Sequence, residues 1–185
     1  MELLQVRYQK TIAKELQTKL GIKNSMAVPA IKKIVVNMGV KDAVADKKNI
    51  ERAASAMTQI TGQKPKIVKA RQSIATFKLR EGDQIGVTVT LRGKRMYAFL
   101  EKVIDIVLPR IKDFRGISRT SFDGRGNYAL GFPEYAVFPE IDQSGVERAQ
   151  GMEIIVVTSA NDNAAGLALL DALGMKFTKE AEQKG

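Results

Sequence analysis

Gln84-Ile85-Gly86-Val87-Thr88-Val89-Thr90-Leu91-Arg92 is the stretch whose reading decides the fold. Ile85, Val87, Val89 and Leu91 take alternate positions, with Gln84, Gly86, Thr88, Thr90 and Arg92 between them. A period of two sends successive side chains to opposite faces of a strand. The pattern predicts one packed face and one face that is polar yet nearly uncharged until Arg92. A sheet made of such strands needs cover on one side only.

Neighbouring segments extend the pattern. In Ile31 to Val40, the positions Ile34, Val36, Met38 and Val40 alternate with Lys33, Val35, Asn37 and Gly39, which predicts a second strand. Lys64 to Arg71 reads as a weaker one, because Pro65 confines it to a strand start or a sheet edge. Gln72 to Asp83 between these strands reads as a loop. Met152 to Thr158 is an apolar strand, and Asp123-Gly124-Arg125-Gly126 carries turn residues before the alternating Tyr128, Leu130 and Phe132.

Helices supply the cover. Leu4, Tyr8, Ile12 and Leu16 recur at four-residue spacing, ended by Gly21. Lys47 to Thr61 buries Ile50, Ala53, Ala54, Met57 and Ile60, with Asp46 as N-cap and Gly62 as terminator. Arg95 to Leu108 turns Met96, Leu100, Val103, Ile104 and Val107 inward and stops at Pro109. A final helix is capped by Asn161, with Leu167 and Leu170 inward and Gly174 after it. Helices mixed with a mostly antiparallel sheet predict a two-layer α+β fold, with helices on one face and a polar sheet face left for a partner. The 185 residues suit a single domain, residues 1–185, with a short mobile tail from about 176 to 185.

Composition narrows the chemistry. There is no cysteine and no histidine, which removes thiolate nucleophiles, disulfides, the usual neutral-pH general base and the commonest metal ligands. Glu134, Glu140 and Asp142 are better read as solubilising charges than as an acid–base pair. Gly124-Arg125-Gly126 lacks the lysine and hydroxyl residue of a phosphate-binding loop and opens no helix. The expectation is therefore no catalysis, no metal and no cofactor. The first residues carry charges through their apolar positions, unlike a signal peptide, and no run approaches the roughly 20 apolar residues of a membrane span. A cytoplasmic protein without a membrane partner is expected.

The net charge is +10, and its distribution says more. Met1 to Arg125 holds 26 basic and 11 acidic residues, whereas Gly126 to Gly185 holds 4 and 9. The first two-thirds is suited to a polyanion and the last third to water or a basic partner. Lys64, Lys66, Lys69, Arg71, Lys78, Arg80, Arg92, Lys94 and Arg95 face only Glu81 and Asp83 in one run, interleaved with glutamine, serine and threonine that can bond phosphates, 2′-hydroxyls and base edges. No helix-turn-helix, zinc site or basic zipper is present, so folded RNA is favoured over DNA. Phe77 and Tyr97 are the only aromatic residues of this run, which gives a stacking platform weak support.

The residues also carry a resemblance. Lys33-Ile34-Val35-Val36-Asn37-Met38-Gly39-Val40, Thr61-Gly62-Gln63-Lys64-Pro65 and Ala70-Arg71-Gln72-Ser73-Ile74-Ala75 resemble the family numbered five of the bacterial large ribosomal subunit. Lys78-Leu79-Arg80-Glu81-Gly82, Val87-Thr88-Val89-Thr90-Leu91-Arg92-Gly93, Asp113-Phe114-Arg115-Gly116, Gly126-Asn127-Tyr128, Phe138-Pro139-Glu140-Ile141 and Thr158-Ser159-Ala160 continue it in order along nearly the whole chain. The resemblance implies a structural protein of the central protuberance. Its implied partners are 5S ribosomal RNA, transfer RNA in the peptidyl site, neighbouring large-subunit RNA and proteins, and a basic small-subunit protein across the subunit bridge. It places the 5S contact on Asn37, Gln63 and Thr90, with Lys33, Lys64, Lys66, Lys69, Thr88 and Arg92 around them. It places the transfer RNA contact on the loop Gln72 to Asp83, through Ser73, Phe77, Lys78, Leu79 and Arg80. A transient RNA chaperone or assembly factor is the alternative, and stoichiometric co-sedimentation with large subunits separates the two.

Overall fold

The computed structural model describes residues 4–40, 43, 46, 48–112, 114–141 and 150–178. Its strands are β1 (Ile31–Gly39), β2 (Lys66–Lys69), β3 (Gln84–Leu91), β4 (Tyr128–Phe132) and β5 (Met152–Thr158), in the sheet order β2-β3-β1-β5-β4. β2 and β3 pair antiparallel. Val40 N–H donates to the Ile85 carbonyl while the Thr88 hydroxyl reaches the Val36 carbonyl, so β1 and β3 also run in opposite directions. The same opposed order links β1 to β5, where Ala30 exchanges bonds with Ser159 and Gln150 donates to Gly39. The fold is the expected α+β two-layer class.

The sheet's alternation follows the sequence pattern except at the start of β3, where Ile85 is only half-buried and Gly86 is buried, beside an irregularity in the β2–β3 pairing. Ile34, Val36 and Met38 on β1, Val87, Val89 and Leu91 on β3, and Met152, Ile154 and Val156 on β5 are all buried. Each such side chain contributes on the order of 1.5–3 kcal/mol when removed from water. The residues between them, Val35 and Asn37, Thr88 and Thr90, Ile155 and Val157, are half-buried.

Internal contacts divide the chain into two compact units, Met1–Ile34 with Leu91–Leu130 and Ile155–Gly185, and Val35–Thr90 with Gly131–Ile154. The dividing points fall inside β1, β3, β4 and β5.

In the first unit, the N-terminal helix is not uniformly α. Leu4–Arg7 and Ala13–Lys19 are α-helical, and Tyr8–Ile12 between them is a π-helical turn. A stripe at strict four-residue spacing drifts about 40° per step on an α-helix of 3.6 residues per turn. The wider π-turn takes up that drift and keeps Leu4, Ile12 and Leu16 together in the core. Tyr8 sits between them, its hydroxyl donating to the Pro29 carbonyl. A second π-turn, Val103–Val107, interrupts the helix that begins at Gly93–Lys102, and buries Val103 and Val107. That helix does not stop at Pro109. It runs one residue further, through Leu108–Arg110, and leaves the helical conformation at Ile111, as expected next to a residue with no N–H to extend the ladder.

The last helix, Asn163–Ala172, is capped by Asp162 and not by Asn161: the Asp162 carboxylate accepts from the Ala165 N–H. Leu169 and Leu170 are buried, and Leu167 only half so. Gly166 of this helix lies against Gly126, where an added Cβ would stand 2.6 Å from the Gly126 carbonyl oxygen. Asp123 holds the turn before β4 by accepting from the Arg125 and Asn127 N–H groups and the Asn127 amide. Those bonds, the Asn127 amide foremost, hold its carboxyl below the usual carboxylate range. Of the expected mobile tail, Lys176–Thr178 pairs with Ile117, and residues 179–185 lie outside the described residues.

In the second unit the helix is described from Lys48 to Thr61, with the expected cap Asp46 accepting from the Lys48 N–H, while Lys47 lies outside the described residues. It buries Ile50, Ala53, Ala56, Met57 and Ile60, while Ala54 is half-buried. Gly62 ends it at φ 66°.

Candidate nucleic-acid interface

Within the second unit the structure brings together five of the nine residues expected to contact ribosomal RNA: Asn37, Thr88, Thr90 and Lys66 on one side of the sheet, and Gln63 bonded to Thr90. Asn37 on β1 and Thr88 and Thr90 on β3 occupy the half-buried positions. The Thr88 hydroxyl donates to the carbonyl of Val36, the residue before Asn37, at 3.1 Å. This bond makes Thr88 and Asn37 neighbours across the strand pair and uses the hydroxyl hydrogen internally, so Thr88 can only accept from a further partner. Gln63, at the turn after the second helix, donates its side-chain amide to the Thr90 carbonyl at 3.4 Å. The contact ties together two residues 27 positions apart in sequence and leaves the Gln63 amide oxygen as an acceptor.

Lys66 lies directly opposite Thr88 in the β2–β3 pairing, and directly opposed residues share a face. The cation therefore stands beside Thr88 on the face that carries Asn37 and Thr90. A register shift between Val68 and Lys69 sets Lys69 opposite Gln84, leaving Ile85 as the extra residue of a bulge. The bulge breaks strict alternation, so Lys69 is exposed at the strand's end without the simple parity of Lys66. Lys64 is also exposed. Lys33 and Arg92 belong to the other unit, where Lys33 is half-buried and Arg92 exposed.

Gly39 lies on the same face as Asn37, two residues further along β1, and was not among the contact residues expected from sequence. It is exposed, has no positive φ, and a Cβ built on it would meet nothing within 4 Å. Neither packing nor backbone conformation requires a glycine there. Gly39 ends β1 with its carbonyl accepting from the Gln150 amide, and a glycine that neither packing nor conformation requires suits close approach of another chain to its Cα; that glycine is the sequence signal that could have found it.

The loop between β2 and β3 is a built hairpin. Ile74 and Leu79 exchange both backbone bonds, at 2.9 and 3.1 Å, around a 3-10 turn at Ala75–Phe77. Below this tip the Ser73 hydroxyl accepts from the Glu81 N–H, and the Asp83 carboxylate from the Arg80 N–H. Ala70 bonds both Gly82 and Asp83 at the base. Lys78 adopts the left-handed conformation at φ 51°, the only non-glycine residue to do so among those described. That costs on the order of 1–2 kcal/mol, which the surrounding bonds offset. Of the expected transfer RNA contacts, Ser73 and Leu79 thus shape the hairpin, while Phe77, Lys78 and Arg80 are its exposed side chains. Tyr97, the other aromatic of the basic run, is buried at 9% exposure.

The acidic segment is described only from Glu134 to Ile141, where Glu134 and Glu140 are exposed; residues 142–149 lie outside the described residues. Among the described residues no group of His, Cys, Asp or Glu could hold a metal. No helix among them is long and apolar enough to cross a membrane.

Comparison with known proteins identifies the family of the chain. Residues 24–80 match the family described as ribosomal protein L5, and residues 84–177 match the C-terminus of that same ribosomal family. The boundary between the two matches falls in the hairpin just before β3. The chain is also 53% identical over 179 residues to the large ribosomal subunit protein uL5 of Shewanella sp. (strain ANA-3), covering 97% of this chain and all of that one.

Proposed function

Because the chain belongs to the ribosomal protein L5 family, a structural component of the large ribosomal subunit and not an enzyme, we propose that its open sheet face binds 5S ribosomal RNA. The observation that carries this reading is the cluster on that face. Asn37, Thr88, Thr90 and Gln63 offer donors and acceptors without charge, and Lys66 stands directly opposite Thr88. Uncharged polar groups address 2′-hydroxyls and base edges, while lysines supply attraction to phosphate. The β2–β3 hairpin reaches transfer RNA in the peptidyl site, with Lys78 and Arg80 forming charge-assisted bonds to phosphate. The acidic segment from Glu134 onward is poorly suited to RNA and meets a basic small-subunit protein across the subunit bridge. The protein then works on the ribosome in the bacterial cytoplasm, as one domain in which the units described above act together.

The test is substitution on the face. Asn37→Ala, Gln63→Ala and Thr90→Ala each leave an RNA group desolvated and unpaired, at a cost of about 1–3 kcal/mol. Each is expected to weaken 5S binding about tenfold at any salt concentration. Melting should stay within about 0.5 kcal/mol of wild type, as for a solvated surface position. Normal affinity in all three variants would overturn the proposed site.

A further inference from the structure

Phe77 is 73% exposed and Ile74 41%, both on the hairpin tip. An aromatic ring held in water on a floppy loop would have no defined partner, but this tip is fixed. Phe77 N–H donates to the Ile74 carbonyl and Lys78 N–H to the Ala75 carbonyl, closing the turn above the Ile74–Leu79 pair. Lys78 takes a backbone conformation that side-chain-bearing residues avoid, and its reversal of the chain comes immediately after the ring. Arg71, Lys78 and Arg80 surround the tip in sequence, all exposed. Of the two nearby carboxylates, that of Asp83 already accepts from the Arg80 N–H.

We propose that the hairpin tip is a stacking platform: the Phe77 ring lies against the flat face of a single nucleobase while Lys78 and Arg80 engage the phosphates beside it. The inference rests on the reading that this hairpin meets transfer RNA, and deepens it. Phosphates and riboses offer no flat apolar surface for a ring, whereas every base has one. The cations around the ring favour RNA over an apolar protein surface, because burying them against protein without acidic partners would be costly. A hydrogen-bonded tip also suits stacking, since the backbone that carries the ring is already ordered before RNA arrives.

The experiment uses ribosomes rebuilt with full-length variants, measuring release of peptidyl-site transfer RNA at low and high salt. Retention of 5S RNA and melting of the free protein serve as controls. Phe77→Ala and Phe77→Leu are expected to speed release roughly fivefold or more at both salt concentrations. Phe77→Trp should restore wild-type release, and melting and 5S retention should not change in any of the three. The double variant Lys78→Ala/Arg80→Ala should speed release most at low salt. If Phe77→Ala and Phe77→Leu release normally while the charge variant does not, the contact is electrostatic and the platform is wrong, although the hairpin still meets transfer RNA. If Phe77→Leu releases normally while Phe77→Ala does not, or if Phe77→Trp releases as fast as Phe77→Ala, the ring acts as an apolar knob and stacking is overturned. If all variants, the charge pair included, release normally, the transfer RNA reading fails and the platform with it.

Discussion

Gly39→Ala separates folding from binding more cleanly than any charge change, because the account expects the two to move in opposite directions. The added Cβ would find nothing within 4 Å, and the backbone there is ordinary extended chain. Replacing glycine by alanine in a strand then gains about 0.5–1 kcal/mol through reduced freedom of the unfolded chain. For a chain of this size that corresponds to a melting temperature higher by about 1–4 °C. On the RNA side the new methyl group projects from the face that carries Asn37. If RNA approaches the bare backbone there, the methyl holds it off, and one broken bond with its partner left buried costs about 1–3 kcal/mol. Affinity for isolated 5S RNA should fall by about fivefold to 150-fold. Thermal melting and filter binding on the same preparation measure both quantities. Unchanged affinity with raised stability would show that RNA does not approach Gly39, and lowered stability would show that the space beside it is not free.

Two further outcomes follow from charge. Lys66→Ala combined with Lys69→Ala should flatten the dependence of log affinity on log salt by about 0.7–0.9 for each phosphate no longer neutralised, and an unchanged slope would move the electrostatic footprint away from β2. At high pH, burial pushes the Tyr128 and Tyr97 hydroxyls up to about 12 from an ordinary 10.0, with Tyr8 adding to the shift at Tyr97. Between those values the unfolded chain has given up protons that the folded one keeps, so stability is fully present below pH 10 and falls as pH rises from 10 to 12. Denaturant titrations across that window should show the loss, and Tyr128→Phe should reduce its steepness; a flat profile would contradict the burial.

The faces of the strands were legible because alternation is local. Val87, Val89 and Leu91 are buried and Thr88 and Thr90 half-buried, as their parity requires. What eluded sequence reading depends on contacts between distant residues or on choices among near equals. Asn161 and Asp162 are adjacent and comparable as caps, and only the bond to Ala165 selects the second. The π-turn at Tyr8–Ile12 left a trace, a stripe at four-residue instead of 3.6-residue spacing, but nothing local says whether the helix or the stripe gives way. The hairpin reads as a polar loop because Ser73 and Asp83 spend their side chains on backbone N–H groups eight and three residues away. The polar face itself was visible residue by residue. The Gln63–Thr90 link and the bulge beside Lys69 needed the fold.

The central claim, that the open sheet face holds 5S RNA, is tested most directly by photocrosslinking intact ribosomes, with both the peptide and the RNA position read out by sequencing. The account predicts crosslinks to 5S RNA from peptides containing Asn37, Lys66 and Thr88–Thr90, and few from the segment Glu134–Ile141. Crosslinks to 5S RNA drawn mainly from Glu134–Ile141, with the sheet peptides silent, would contradict it.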